Sequence, residues 1–146
     1  MHTKILISSL LTVSLLATSL QADWRQFRGS YNTSVAENGK SAPKTWDAES
    51  GKNIAWKADL PGRGASSPII VDGRVVVTCS SGANQDRLHV LCFDEKTGEQ
   101  LWERQFWATG RSLCHPTSAV AAPTPASDGE AIYAFFSSND LVCLDL

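Results

Sequence analysis

The chain has 146 residues, of which 42% are hydrophobic and 19% charged, with a formal net charge of −2. That length and composition suit one ordinary globular domain and exclude a disordered chain. Bases stand beside acids, as in Asp94-Glu95-Lys96 and Glu103-Arg104. The near-neutral balance gives no electrostatic ground for nucleic acid or an anionic membrane surface as a partner.

Residues 1–22 are of a different kind. Lys4 supplies a positive start, and residues 5–16 are apolar apart from Ser8, Ser9, Thr12 and Ser14. Small residues then gather at Ala17-Thr18-Ser19 and Ala22. The pattern predicts a secretory signal peptide cleaved after Ala22. An apolar stretch of roughly twelve residues is short against the ~20 that span a bilayer. No cysteine lies near the cleavage position to carry a lipid. The mature chain is expected to begin near Asp23, to lack a membrane span, and to be periplasmic or extracellular.

Export bears on the cysteines. Cys79, Cys92, Cys114 and Cys143 are even in number, as a disulfide framework in an oxidising compartment would require. Cys92 and Cys143, however, lie inside apolar runs, where a thiol serves as a small buried hydrophobe. Free buried thiols are the expectation, and Cys114 is the residue placed for a disulfide. Neither Cys-x-x-Cys nor Cys-x-x-Cys-His occurs, which argues against a zinc ribbon, a thioredoxin-type site and covalent c-type haem.

Residues 23–53 read as an irregular arm rich in Gly, Asn, Ser and Glu. Its three aromatics, Trp24, Phe27 and Trp46, call for burial against the domain. Residues 54–58 read as a short strand, followed by a turn at 60–64. Four strands are predicted near 67–71, 74–79, 88–94 and 100–106. Asp72-Gly73 is a strong hairpin signal, because Gly takes positive φ at no steric cost, and Thr97-Gly98 turns the chain for the same reason. Residues 108–122 form a loop carrying Cys114-His115-Pro116. Further strands are predicted near 124–127, 131–137 and 141–146. Beyond the signal peptide no stretch has helical periodicity.

The pattern repeats. Asp-Gly recurs from 72 to 128, an offset of 56, and Cys-x-Asp from 92 to 143, an offset of 51. The difference matches the longer first loop, 80–87 against 137–140. A repeat of about fifty residues built of short strands and turns points to a β-propeller blade. The fold class is therefore all-β, a partial β-propeller of four-stranded antiparallel blades over residues 54–146. One full blade covers about 66–107 and a partial one about 123–146. A propeller closes with roughly four to eight blades, so the chain is expected to be a C-terminally incomplete part of a longer protein.

The run Leu91-Cys92-Phe93-Asp94-Glu95-Lys96-Thr97-Gly98-Glu99-Gln100-Leu101-Trp102 resembles the blade motif of the PQQ-like (pyrroloquinoline-quinone-type) β-propeller repeats. Trp24-Arg25-Gln26-Phe27-Arg28-Gly29 and Leu60-Pro61-Gly62-Arg63-Gly64 are similar to exported members common in planctomycete-type bacteria. The resemblance covers the whole mature chain. It implies that Asp72, Gly73, Asp94, Thr97, Gly98, Trp102, Asp128, Gly129 and Asp145 are structural repeat positions. It also implies that Trp102, like Trp56, packs between neighbouring blades, and Asp94 and Thr97 suit backbone hydrogen bonds within a turn.

The family's enzymes are quinoprotein dehydrogenases that hold PQQ and Ca²⁺, with an adjacent cysteine pair over the cofactor. No Cys-Cys pair and no Asp-x-Asp-x-Asp spacing occurs in this sequence. Its non-enzymatic branch includes the periplasmic propeller subunit of the outer-membrane β-barrel assembly machinery, which binds partners through loops and strand edges. The residues point to no bond made or broken, and no cofactor is expected. The reading is an exported non-enzymatic scaffold that binds a protein or small ligand at its blade loops, with Arg63, Arg111, Cys114 and His115 as candidate contacts. Cys114-His115 is read as a rigid loop before Pro116, and His89 as a satisfied strand histidine. The alternative is part of a quinoprotein-type oxidoreductase, in which PQQ would bind to blades beyond this sequence.

Overall fold

The computed structural model describes residues 23–36 and 42–146. The predicted signal peptide lies outside the described residues. Seven strands occur in two antiparallel sheets. The first has the order β1 (Ile69–Val71), β2 (Arg74–Ser81), β3 (Arg87–Asp94) and β4 (Gln100–Trp107). The second has the order β5 (Ala126–Ser127), β6 (Ala131–Phe135) and β7 (Leu141–Asp145). A four-stranded meander followed by a second of the same connectivity is a partial propeller. A single 3-10 turn, Ser30–Asn32, lies in the N-terminal arm.

Local chemistry accounts for the hairpins. Val71 pairs with Arg74 across Asp72 and Gly73, whose φ values are +46° and +70°. Two consecutive positive φ values match the right-handed twist of the flanking strands. β2 and β3 pair in unbroken register from Arg74↔Asp94 to Ser81↔Arg87. β3 and β4 shift register between Cys92 and Phe93, so that Cys92 faces Trp102 while Phe93 faces Gln100.

The alternation of β3 separates two cores. Leu88, Val90 and Cys92 meet Ile69, Val71 and Val76, then Ile132, Ala134 and Phe136 of the second sheet side. On the opposite face Leu91 and Phe93 pack with Cys79, Val75, Val77 and Trp56. β3 is thus covered on both faces, which is why its sequence is apolar almost throughout. Each fully buried Leu or Val there contributes about 1.5–3 kcal/mol.

Residues 54–58 do not form a strand. A strand needs a ladder partner, and none of the described residues provides one. Trp56 anchors the segment instead. Its indole N–H donates to the Glu95 carbonyl at 2.8 Å, and its ring stacks on Phe93 with centroids 6.1 Å apart.

The described part of the arm is only partly buried. Trp24 exchanges two backbone hydrogen bonds with Ile70, of 2.7 and 2.9 Å, on the free edge of β1. The Arg25 carbonyl then accepts from Ser127 N at 2.8 Å, so the arm ties β1 to β5. Phe27 and Trp46, expected inside, are 58% and 70% exposed. The turn carrying Trp46 closes on itself through Asp47↔Lys52 rather than against a sheet. No helix among the described residues is long and apolar enough to cross a membrane.

Gly98 has φ +73°, and a Cβ there would lie 2.5 Å from the Trp56 ring. Gly98→Ala should therefore destabilise the fold by about 2 kcal/mol through strain and lost stacking. Urea unfolding followed by tryptophan fluorescence would measure this.

Candidate functional site

The register sorts the sequence-predicted residues onto opposite ends of the sheets. Asp72-Gly73 and the 94–99 turn share one end, joined by Glu95 N donating to the Gly73 carbonyl at 3.0 Å. Asp128-Gly129 and Asp145 occupy the corresponding end of the second sheet, where Asp145 pairs with Ala131. Arg63 lies at the opposite end. It forms an isolated bridge with Ser80, with two backbone hydrogen bonds of 3.0 and 2.9 Å. The 82–86 loop and the 108–122 connection meet there too.

At the first end the aspartates close turns. Asp94 Oδ1 accepts from Thr97 N, Thr97 Oγ1 and Lys96 N at 2.7, 2.9 and 2.9 Å. These bonds, those of Thr97 first, hold its carboxyl below the ordinary carboxylate range. Asp128 accepts from Ala131 N, Glu130 N and the Tyr133 hydroxyl, which brings its pKa from 3.8 to about 2. Carboxylates so occupied are poor proton donors near neutral pH.

Trp56 rests on the Gly98 turn. Trp102 packs against the core shared by the two sheets. It also lines a cleft of about 380 Å³ with Arg104 and residues 143–146, and the Arg104 guanidinium lies 5.8 Å from its ring centroid.

All four candidate contacts lie at the loop end, but only Arg111 and Cys114 share a cleft. Arg63 Nη1 donates to the Pro116 carbonyl at 3.1 Å, which fixes the segment containing Cys114 and His115. Gln85, which sequence reasoning missed, is the hub. Its Oε1 accepts from Ser80 Oγ at 3.1 Å and Val120 N at 3.2 Å, while Nε2 donates to Cys114 Sγ at 3.2 Å. His115 does not pair with the adjacent thiol. Its Nδ1 lies 2.8 Å from Thr117 Oγ1 and accepts from Thr117 N at 3.3 Å, so the ring is turned back onto its own loop. Arg111 and Cys114 line a cleft of about 300 Å³ with residues of the 82–86 loop. On the same end Trp107 is 65% exposed, with the Arg87 guanidinium 5.1 Å from its ring centroid.

A second network crosses the blade face. His89 is 2% exposed, its Nδ1 2.6 Å from Glu103 Oε1 and its Nε2 2.7 Å from Ser81 Oγ. A carboxylate only accepts, so Nδ1 carries the proton and Nε2 accepts from the Ser81 hydroxyl when the ring is neutral. Sealed from solvent, this imidazole ties β2, β3 and β4 together. It is a satisfied strand histidine.

All four cysteines are free, including Cys114. Burial pushes the thiols of Cys79 and Cys92 up to about 11, which keeps them protonated and unreactive. Cys143, expected to be buried, is exposed, because β7 is covered less completely than β3. Among the described residues no group of three or more His, Cys, Asp or Glu side chains converges as a metal would require.

Consecutive antiparallel meanders of four and three strands, turned through Asp-Gly and Thr-Gly, with Trp56 seated on the glycine of the 97–98 turn, define a PQQ-like β-propeller repeat protein. A family model described as outer membrane protein assembly factor BamB matches residues 17–146, and the chain belongs to that family. A search of curated proteins finds no match, and neither does a search of solved structures.

The folded state holds the Asp128 carboxyl ionised down to about 2, against 3.8 ordinarily. The stability this contributes is complete above the ordinary value and is lost as pH falls through 3.8 towards 2. Asp128→Ala should flatten the fall in Tm between about pH 4 and pH 2, as measured by circular dichroism melts.

Proposed function

We propose that the chain is the repeat portion of an exported, non-enzymatic propeller scaffold that recognises a protein partner through its loop end. The observation that carries this reading is the contrast between the two ends. At one end the aspartates are spent on closing turns. At the other, Trp107 and Leu113 are 65% and 74% exposed beside Arg87 and Arg111. Trp and Arg are the residue types that dominate protein–protein binding energy, and an exposed aromatic beside a cation is a ready anchor.

The family description, an outer membrane assembly factor, points to a partner among outer-membrane or assembly proteins of the same cell. The amino-terminal pattern of residues 1–22 supplies the route out of the cytoplasm.

Two measurements test this. The protein recovered from a cell-envelope fraction should begin at Asp23 by intact-mass analysis; retention of Met1 in the cytoplasm would remove the export reading. A photo-crosslinking residue placed at Trp107 should yield discrete envelope-protein adducts in living cells, whereas one placed at Lys96 should not. Absence of adducts at position 107, or equal adducts at both positions, would remove recognition through the loop end.

A further inference from the structure

We infer that the cleft between the 82–86 loop and residues 111–114 is a binding site for a single carboxylate carried on a short apolar group. This deepens the reading of the loop end as a recognition surface and rests on it. The cleft holds about 300 Å³, at the lower limit of small-ligand sites.

The floor of the cleft is built before any ligand arrives. Gln85 has φ +54° and all of its side-chain polar atoms engaged, to Ser80, Val120 and Cys114. Its backbone N–H donates to the Gly82 carbonyl at 3.1 Å, so the loop carrying Asn84 is closed on itself. Arg63 pins the opposite wall through Pro116. The loops are thereby held apart at fixed spacing, which lowers the ordering cost of binding.

The rim supplies the chemistry. Arg111 is exposed and has no acid partner among the described residues, and the side chains of Asn84 and Ser112 are likewise without partners there. No acid lines the cleft. One guanidinium fork with two neutral donors matches a planar monoanion, because a carboxylate takes two parallel N–H bonds from an arginine. A phosphate dianion would be left with half its charge uncompensated. Leu113, 74% exposed, supplies the wall for an apolar substituent beside the carboxylate. Two sources present this chemistry: the free carboxyl end of a peptide chain with an apolar last residue, and a small branched fatty acid.

Isothermal titration of the full chain tests the site, with acetyl-Ala-Ala-Leu, its C-terminal amide, 4-methylpentanoate and inorganic phosphate as probes. The acid forms should bind with Kd on the order of 1 mM. The amide should bind at least about tenfold more weakly, and Arg111→Met should lose a similar factor with Tm unchanged. Lys96→Met, at the far end, should bind like the parent. Tighter binding of the peptide than of 4-methylpentanoate assigns the carboxylate to a chain end, and the reverse assigns it to a free acid. Equal binding of the amide, an unaffected Arg111→Met, phosphate binding as tight as the acids, or no heat from either acid would overturn the inference. Carboxylate binding without crosslinks at Trp107 would remove the partner reading and leave the cleft standing. Crosslinks without carboxylate binding would remove the cleft alone.

Discussion

The Trp56 indole lies flat against the backbone of Gly98 and donates its N–H to the carbonyl of Glu95. This contact joins a segment that has no ladder partner to the turn of the following sheet. It works only because position 98 lacks a Cβ, and the same absence lets the chain turn through a positive φ. One glycine thus meets a local demand and a long-range one. The turn geometry orients Glu95 towards Trp56, the indole covers Phe93, and Phe93 in turn seals the second core of β3. The outer face of the first sheet follows from that chain of contacts. Its inner face follows from the packing of Leu88, Val90 and Cys92 against the second sheet.

With both faces of β3 occupied, lateral surface is scarce and specific chemistry is left to the ends of the strands. The two ends have been used differently. Asp94 and Asp128 saturate their oxygens with backbone N–H groups, which converts charge into turn geometry. Gln85, a neutral amide, holds β2 and two points of the 108–122 connection at the other end and leaves the neighbouring cation uncommitted. A rigid neutral hub beside free donors is how a small site can be organised without placing a competing anion in it.

Much of this was legible in the sequence, and the reason is locality. Asp72-Gly73 and Thr97-Gly98 specify their turns within four residues, and period-two alternation specifies the strands between them. The seven strands accordingly lie within a few residues of their predicted positions. Residues 54–58 had the composition of a strand, but a ladder is a property of two segments, and composition describes one. Trp46 and Phe27 looked like core residues because aromatics usually are, yet the turn at Asp47 satisfies itself locally and leaves the ring outside. The Gln85 hub was invisible for the opposite reason. Its partners at Ser80, Cys114 and Val120 come from segments up to 35 residues away, and nothing in the local pattern singles out a glutamine. The Ser81–His89–Glu103 line is intermediate: the alternating strand marked His89 as a satisfied histidine, but its partners on the two flanking strands emerge only from the register.

The arm has a bearing on the order of assembly. Arg25 reaches Asp128 across 103 residues, with Nη1 donating to its carbonyl at 2.9 Å, while Trp24 pairs with Ile70 next door. Contacts of such separation carry a loop-closure cost that nearest-neighbour hairpins do not, and they form slowly. As the chain is made from its amino end, the 72–73 and 97–98 hairpins have everything they need early. The arm cannot finish docking until the second sheet exists. Until then Arg25 has no second sheet to tie to, and an arm that precedes both sheets in the sequence is among the last segments to finish docking.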